Sequence, residues 1–458
     1  MFRRIKKYYN KLRHYWTTPS MVDGTIPAND DNWIDIYYQD VLPLDFDADS
    51  VDNEDWVVEN NSLRLKQPEQ LQKTTYALTL YFTGNELVHG KYPMPVQTRY
   101  YLNVRVRTWR VGEYNLRKVG HDWSAPQYVH SWGEDGILFR HNYLYYFKGG
   151  ERPQRMCKMC IKYLGGLEIV RSGEWYALRN GTQILLSNGL QGPWKVIFDK
   201  SDATGIRHSM VFVKNEQNED ELLFCEYTTS WGKHNIYCYN IQQGKLSIRQ
   251  TFYSIDEHNK QGLEPFARHT HLMVQDPYTG YIFIGNGDYN DGSSAIYYSK
   301  DQCNTLIRIG AYSQEYRTLS FIFTEKSIFW NMDTPYEPQC ICRLSRNDLP
   351  EKDVKVSPIK KYPLIQSAHW LIEPMQTPDG ETMYVMATNR EAKFYDERVH
   401  TFGIKIENEE PMFYELLALP YDGDIFYQYD PLGVKDNLLL MEDTSTGKRA
   451  YYELEKIN

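Results

Sequence analysis

Residues 266–291 read FARHTHLMVQDPYTGYIFIGNGDYND. Two apolar runs flank DPYTG, a turn with Asp at its start and Pro and Gly where the chain must reverse, which is the pattern of an antiparallel hairpin. The same outline recurs at 205–230 (GIRHSMVFVKNEQNEDELLFCEYTTS), 315–337 (EYRTLSFIFTEKSIFWNMDTPYE) and 366–391 (QSAHWLIEPMQTPDGETMYVMATNRE), and more weakly at 128–151 and 423–446. Behind several hairpins stand two more strand-like stretches, such as AIYYSKDQCNTLIRIG (295–310) and QILLSNGLQGPWKVIF (183–198). Four short antiparallel strands per unit, recurring roughly every 50–75 residues, predict a β-propeller.

The expectation is therefore an all-β fold with six blades over 121–458. A seventh is left open by the long interval before residue 207, which contains LEIVRSGEWYALRNGTQILLS (167–187). No helix-period segments separate the strands, which argues against a parallel α/β fold. Upstream, WIDIYYQDV, DWVVENNSLRLKQ, YALTLYFTG and RYYLNVRVRTW make 21–120 a β-rich accessory region, a candidate small sandwich. Residues 1–20 predict a basic amphipathic helix. Its first sixteen residues hold six Arg and Lys and no acid, with Ile5, Tyr8, Tyr9, Leu12, Tyr15 and Trp16 spaced by about one turn. Such a helix either lies on an anionic membrane surface or packs on its own domain.

The net charge of −9 is more negative still once that segment is set aside, which argues against a general nucleic-acid binder. No apolar run approaches a membrane span, and no apolar core follows the basic start as in a signal peptide. With seven cysteines in no paired framework, the expectation is a reduced, cytoplasmic protein, peripheral at the inner membrane if the helix binds lipid. Cys157 and Cys160 form CxxC, and Cys340 and Cys342 form CxC, but both pairs sit in strand-like runs rather than zinc-ribbon loops. Aromatics at 15% suit strands, and also a sugar-binding cleft.

Ser299-Lys-Asp301-Gln-Cys-Asn-Thr305-Leu306 resembles the Asp-box turn, SxDxGxTW, of BNR-repeat, sialidase-like propellers. Ser187 to Trp194 resembles an eroded copy, and Asp122-Trp123-Ser124-Ala-Pro126 the sequence that often follows such a box. The resemblance implies a propeller with structural turns at the blade periphery. For activity it implies an arginine triad gripping a substrate carboxylate, a Tyr/Glu nucleophile and an Asp acid. The FRIP-type arginine motif of those enzymes is not found and no Tyr/Glu pair can be placed, so a His-rich polysaccharide lyase is an equal analogy.

In a blade, the start of the first strand and the end of the second share one face. The starts carry Arg207, His208, Arg268, His269, His271, Arg317 and His369; the ends carry Glu226, Asp288 and Asp333. Arg207, Arg268 and Arg317 at equivalent places suit a carboxylated glycan, because a guanidinium grips a carboxylate bidentately. With Glu264, His369 and Glu226 they form the candidate substrate-binding set. His208, His269, His271, Asp288 and Asp333 form the candidate catalytic set, His as base and Asp as acid, for hydrolysis or β-elimination. The alternatives are interblade ion pairs and a non-catalytic protein-interaction scaffold. HxH places two rings on one face of a strand, but no carboxylate accompanies it at fixed spacing, so neither metal nor cofactor is expected.

Overall fold

The computed structural model describes residues 33–457 with interruptions: several stretches before residue 109, and 122–125, 160–166, 201–202, 205–207, 229–231, 289–292, 335–339, 365–366, 390–397, 421–428 and 444–445. The basic segment 1–16 and the side chains of Arg207 and His369 lie outside the described residues. The chain divides into two compact units, Met1–Arg107 and Thr108–Asn458. Among described residues no helix is long and apolar enough to cross a membrane.

In the first unit Trp33–Tyr37 pairs in parallel with Gln97–Arg105, which pairs antiparallel with Thr75–Tyr81. A smaller sheet holds Trp56–Glu59 and Ser62–Leu65, burying Trp56 and Leu63.

The second unit contains seven sheets of the repeat. Blade 1 spans Tyr128–Trp132 to Gln154–Lys158, blade 2 Glu168–Ser172 to Lys195–Asp199, and blade 3 Met210–Lys214 to Lys245–Phe252. Blade 4 spans His269–Gln275 to Ile307–Ala311, blade 5 Phe321–Phe323 to Lys360–Pro363, and blade 6 Ser367–Gln376 to Glu410–Pro420. Blade 7 has Tyr429–Lys435, Leu438–Asp443 and Lys448–Lys456, and its fourth strand, Tyr114–His121, comes from the start of the unit and pairs antiparallel with Lys448–Lys456. Just before it, Trp109–Arg110 joins the outer edge of blade 6. The first strands of blades 1 and 7, 2 and 3, 3 and 4, and 6 and 7 approach one another, so the first strand of each blade is the inner one. The second unit is a seven-bladed β-propeller. The blade left open by the sequence is blade 2, and Tyr114–His121, within the stretch read as accessory region, is a propeller strand.

The core lies between blades rather than within one layer. Val213, Leu223 and Ile236 of blade 3 pack on Met273, Ile284 and Tyr297 of blade 4, and Phe283, Ile296 and Tyr298 of blade 4 on Ile328, Trp330 and Cys342 of blade 5. Middle strands are buried on both faces, which is why Ile282, Phe283 and Ile284, and Leu222, Leu223, Phe224 and Cys225, run apolar without alternation. Each large side chain so buried contributes about 1.5–3 kcal/mol. A polar latch joins blade 2 to the entry of blade 3, where Glu168 accepts from the Ser209 amide at 2.9 Å and its hydroxyl at 2.8 Å.

The Asp-box-like turn closes as its residue types require. Asp301 accepts from the Thr305 amide at 2.8 Å and the Thr305 hydroxyl at 2.7 Å, while Ser299 Oγ accepts from the Cys303 amide at 2.8 Å. It joins the third and fourth strands of blade 4, away from the inner strand. Cys157 lies in blade 1 and Cys340 and Cys342 in blade 5; Cys160 is outside the described residues.

Candidate functional site

Blade 4 begins with His269, and its pairing with the next strand slips between Thr270 and Leu272. His271 falls in that irregularity, a place where a bulge re-aims a side chain. Both rings are buried. His269 Nδ1 lies 3.2 Å from the Thr228 carbonyl of the blade 3 mouth, and His271 Nδ1 lies 3.2 Å from the Thr318 carbonyl just before blade 5. A carbonyl only accepts, so each ring carries its proton on Nδ1. The two Nε2 atoms then face each other at 3.1 Å.

Asp288, directly after the second strand of blade 4, closes this arrangement. Its carboxylate lies 3.0 Å from His271 Nε2 and 3.2 Å from His269 Nε2. Arg268 donates to it at 2.5 Å, and Arg317 Nη2 reaches it from the entry to blade 5 at 3.2 Å. Arg317 also donates to Asp333 at 3.0 Å, and Gln314 donates to the Asp288 carbonyl at 3.3 Å. Burial pushes the Asp288 carboxyl up, but the His269 and His271 contacts overcome it and hold the group far below the usual carboxylate range. Burial pulls the His269 pKa down, with the Asp288 hydrogen bond opposing. Two arginines face two aspartates, so with neutral rings the cluster carries no net charge.

Gly287 allows the rings in. A Cβ there would stand 2.2 Å from His271 Cε1. Asn331 Oδ1 accepts from the Ser320 amide at 3.1 Å and its hydroxyl at 3.0 Å, bracing the loop whose Thr318 carbonyl fixes His271.

Thus the structure brings Arg268, His269, His271, Asp288, Arg317 and Asp333 together. It places other candidates elsewhere. Glu226 is fully buried within blade 3, bonded to Lys200 at 2.7 Å and to the Asn235 amide at 2.8 Å. Glu264 pairs with Arg308 at 3.2 Å. His208 has a left-handed backbone (φ 58°), and its carbonyl accepts from Met273 N. Tyr227 was not singled out by the sequence, yet its ring lies 4.1 Å from that of His269. Burial, then the Asp288 charge, raises its phenol to about 12. Alternation explains the miss: Glu226 at the strand end turns into its blade, and the next side chain faces the mouth.

No family model matches the chain, and no curated protein matches its sequence. Among solved structures the chain is similar to an oligogalacturonate lyase in complex with manganese, at 8% identity and TM-score 0.44, covering 76% of this chain and 97% of that one. It is also similar to the AfRom2 CNH domain (8% identity, TM-score 0.41, 74% of this chain and 98% of that one covered) and to the Neurospora crassa Pan2 WD40 domain (8% identity, TM-score 0.40, 75% and 96% covered). At such identities and scores these similarities carry nothing about activity.

Proposed function

We propose that the mouth formed by blades 3 to 5 recognises a carboxylated saccharide. One observation carries the reading: guanidinium groups from successive blades, Arg268 and Arg317, converge on a single carboxylate that is itself partly exposed, as is Arg268 (16% and 25% of their side chains). An incoming carboxylate can share the Arg268 fork with Asp288, since a guanidinium offers five N–H donors. The adjacent Tyr227 ring offers the flat face against which sugar C–H groups pack.

The roles within the site follow from its hydrogen bonds. Asp288 is paired with the guanidinium groups of Arg268 and Arg317, so it is an ionised anchor and has no proton to give as an acid. The Nε2 lone pairs of His269 and His271 converge on one another and on Asp288, so these rings are not aimed outward as bases. Arg268 is the residue placed to meet ligand.

The test is binding of oligosaccharides bearing uronate or sialate against neutral oligosaccharides of equal length, with turnover followed in the same samples. Arg268→Ala removes a charge-assisted pair of bonds, about 1.5–3 kcal/mol, so affinity for the acidic sugars falls roughly 10- to 100-fold. Equal affinity for acidic and neutral sugars, or no change in a folded Arg268→Ala protein, overturns the reading.

A further inference from the structure

We propose that His269, His271 and Asp288 hold a divalent transition-metal ion. Three lone-pair-bearing atoms converge there from one hairpin: His269 Nε2, His271 Nε2 and an oxygen of Asp288. The two Nε2 atoms stand 3.1 Å apart, and the Asp288 carboxylate reaches both, with Oδ2 3.2 Å from His269 Nε2 and Oδ1 3.0 Å from His271 Nε2. Ligands about 2.1 Å from an octahedral ion stand about 3.0 Å apart along each edge, so the imidazole pair fits two adjacent coordination positions and the carboxylate, within such an edge of each ring, a third. Two imidazoles and one carboxylate on one face form the donor set that suits first-row divalent ions and leaves positions open for an exogenous ligand.

The surroundings are those of a metal site. Each ligating ring has its other nitrogen held by a backbone carbonyl, Thr228 for His269 and Thr318 for His271, which fixes the tautomer and aims Nε2 inward. Those carbonyls belong to the segments flanking blades 3 and 5, so the neighbouring blades orient the pair while blade 4 supplies all three ligands. Two neutral rings so fixed set lone pair against lone pair, an arrangement relieved by a cation between them or by an extra proton. The charge balance narrows the open positions further. Arg268 and Arg317 are matched by Asp288 and Asp333, so a divalent ion adds two uncompensated positive charges, which an anionic ligand completes. The assignment rests on the ligand geometry and stands whether or not that ligand is a saccharide.

The experiment uses the full chain stripped with chelator and the metal alone as probe. Mn2+ is titrated with loss of the free-ion paramagnetic resonance signal as readout, and Zn2+ with calorimetry. One equivalent binds per chain, and His269→Gln and His271→Gln each weaken it by more than ~100-fold, beyond the 10- to 100-fold typical of groups that only orient ligands. Arg268→Ala tightens metal binding by removing a neighbouring positive charge, the opposite of its effect on acidic sugars, so the two readings fail separately. Because a histidine variant can lose its fold, nitrogen NMR of the unaltered protein gives a second measurement: Zn2+ shifts two histidine Nε2 resonances. Absence of stoichiometric binding by the folded protein, unshifted Nε2 resonances, or full binding by folded His269→Gln and His271→Gln overturns the proposal.

Discussion

Gly287 stands where a side chain is least tolerated at the mouth. Its neighbour is a buried imidazole pinned at Nδ1, so the ring cannot swing aside without breaking its bond to Thr318. Gly287→Ala forces the ring or the hairpin to move, at a cost of about 1–3 kcal/mol for overpacking. Equilibrium urea unfolding checks the cost, and the His271 side-chain NMR resonance checks the displacement. Unchanged stability together with an unmoved resonance contradicts the close approach. The same residue scale explains what sequence reading reached here and what it did not. The mouth position of Arg268, His269 and Asp288 follows from hairpin antiparallelism, visible in the spacing of apolar runs. Direct contact between Asp288 and the HxH rings was not legible, because Asp288 is 17 residues beyond His271 and the exact register decides whether they touch.

At the scale of elements, closure of the ring depends on a strand remote in sequence. Leu116 of Tyr114–His121 sits opposite Leu454 of Lys448–Lys456, and both are buried in the cluster between blades 6 and 7 with Met375, Val385 and Leu439. Leu116→Ala and Leu454→Ala are each expected to cost about 2–5 kcal/mol. Because they face each other the double variant departs from additivity by ~0.5–3 kcal/mol. Strict additivity in urea unfolding, with midpoints showing no coupling, argues against this pairing. Sequence alone could not give the partner of Tyr114–His121, since alternation marks a strand but not what it pairs with. Blade 2 was obscure for another reason. Its inner hairpin carries Glu168, Arg171 and Arg179 where other blades are apolar or begin with Arg-His. Glu168 and Arg179 are nonetheless buried; Glu168 accepts from Ser209, and Arg179 donates through Nη2 to the Cys225 carbonyl at 2.7 Å. A charge that is buried because a neighbouring blade satisfies it reads, in the sequence, as a surface position.

For the whole molecule, interblade burial of histidines sets how the propeller responds to acid. His234 of blade 3 is fully buried, stacked on Phe252 with its Nε2 3.1 Å from Thr270 Oγ1 of blade 4; burial, then His269 and Lys200, lowers it to about 3. Burial, then His208 and Arg171, lowers His130 of blade 1 to about 4. In the unfolded chain both rings protonate near pH 6.5, as free histidines do. Between about pH 6.5 and those folded values the unfolded state binds more protons, so stability is full above that range and falls as the pH falls through it. Asp288, held low, adds a loss only in more acidic solution, below the ordinary range of an aspartate. Glu168, raised by burial, acts in the opposite direction. The unfolding free energy therefore drops by several kcal/mol, in order of magnitude, between pH 7 and pH 4. His234→Gln keeps a hydrogen-bonding group against Thr270 but cannot titrate, so its stability curve is shallower over that interval even where it starts lower. Denaturant unfolding of both proteins from pH 7 to pH 4 measures the two slopes, and parallel curves would mean that the proton uptake belongs to groups other than His234.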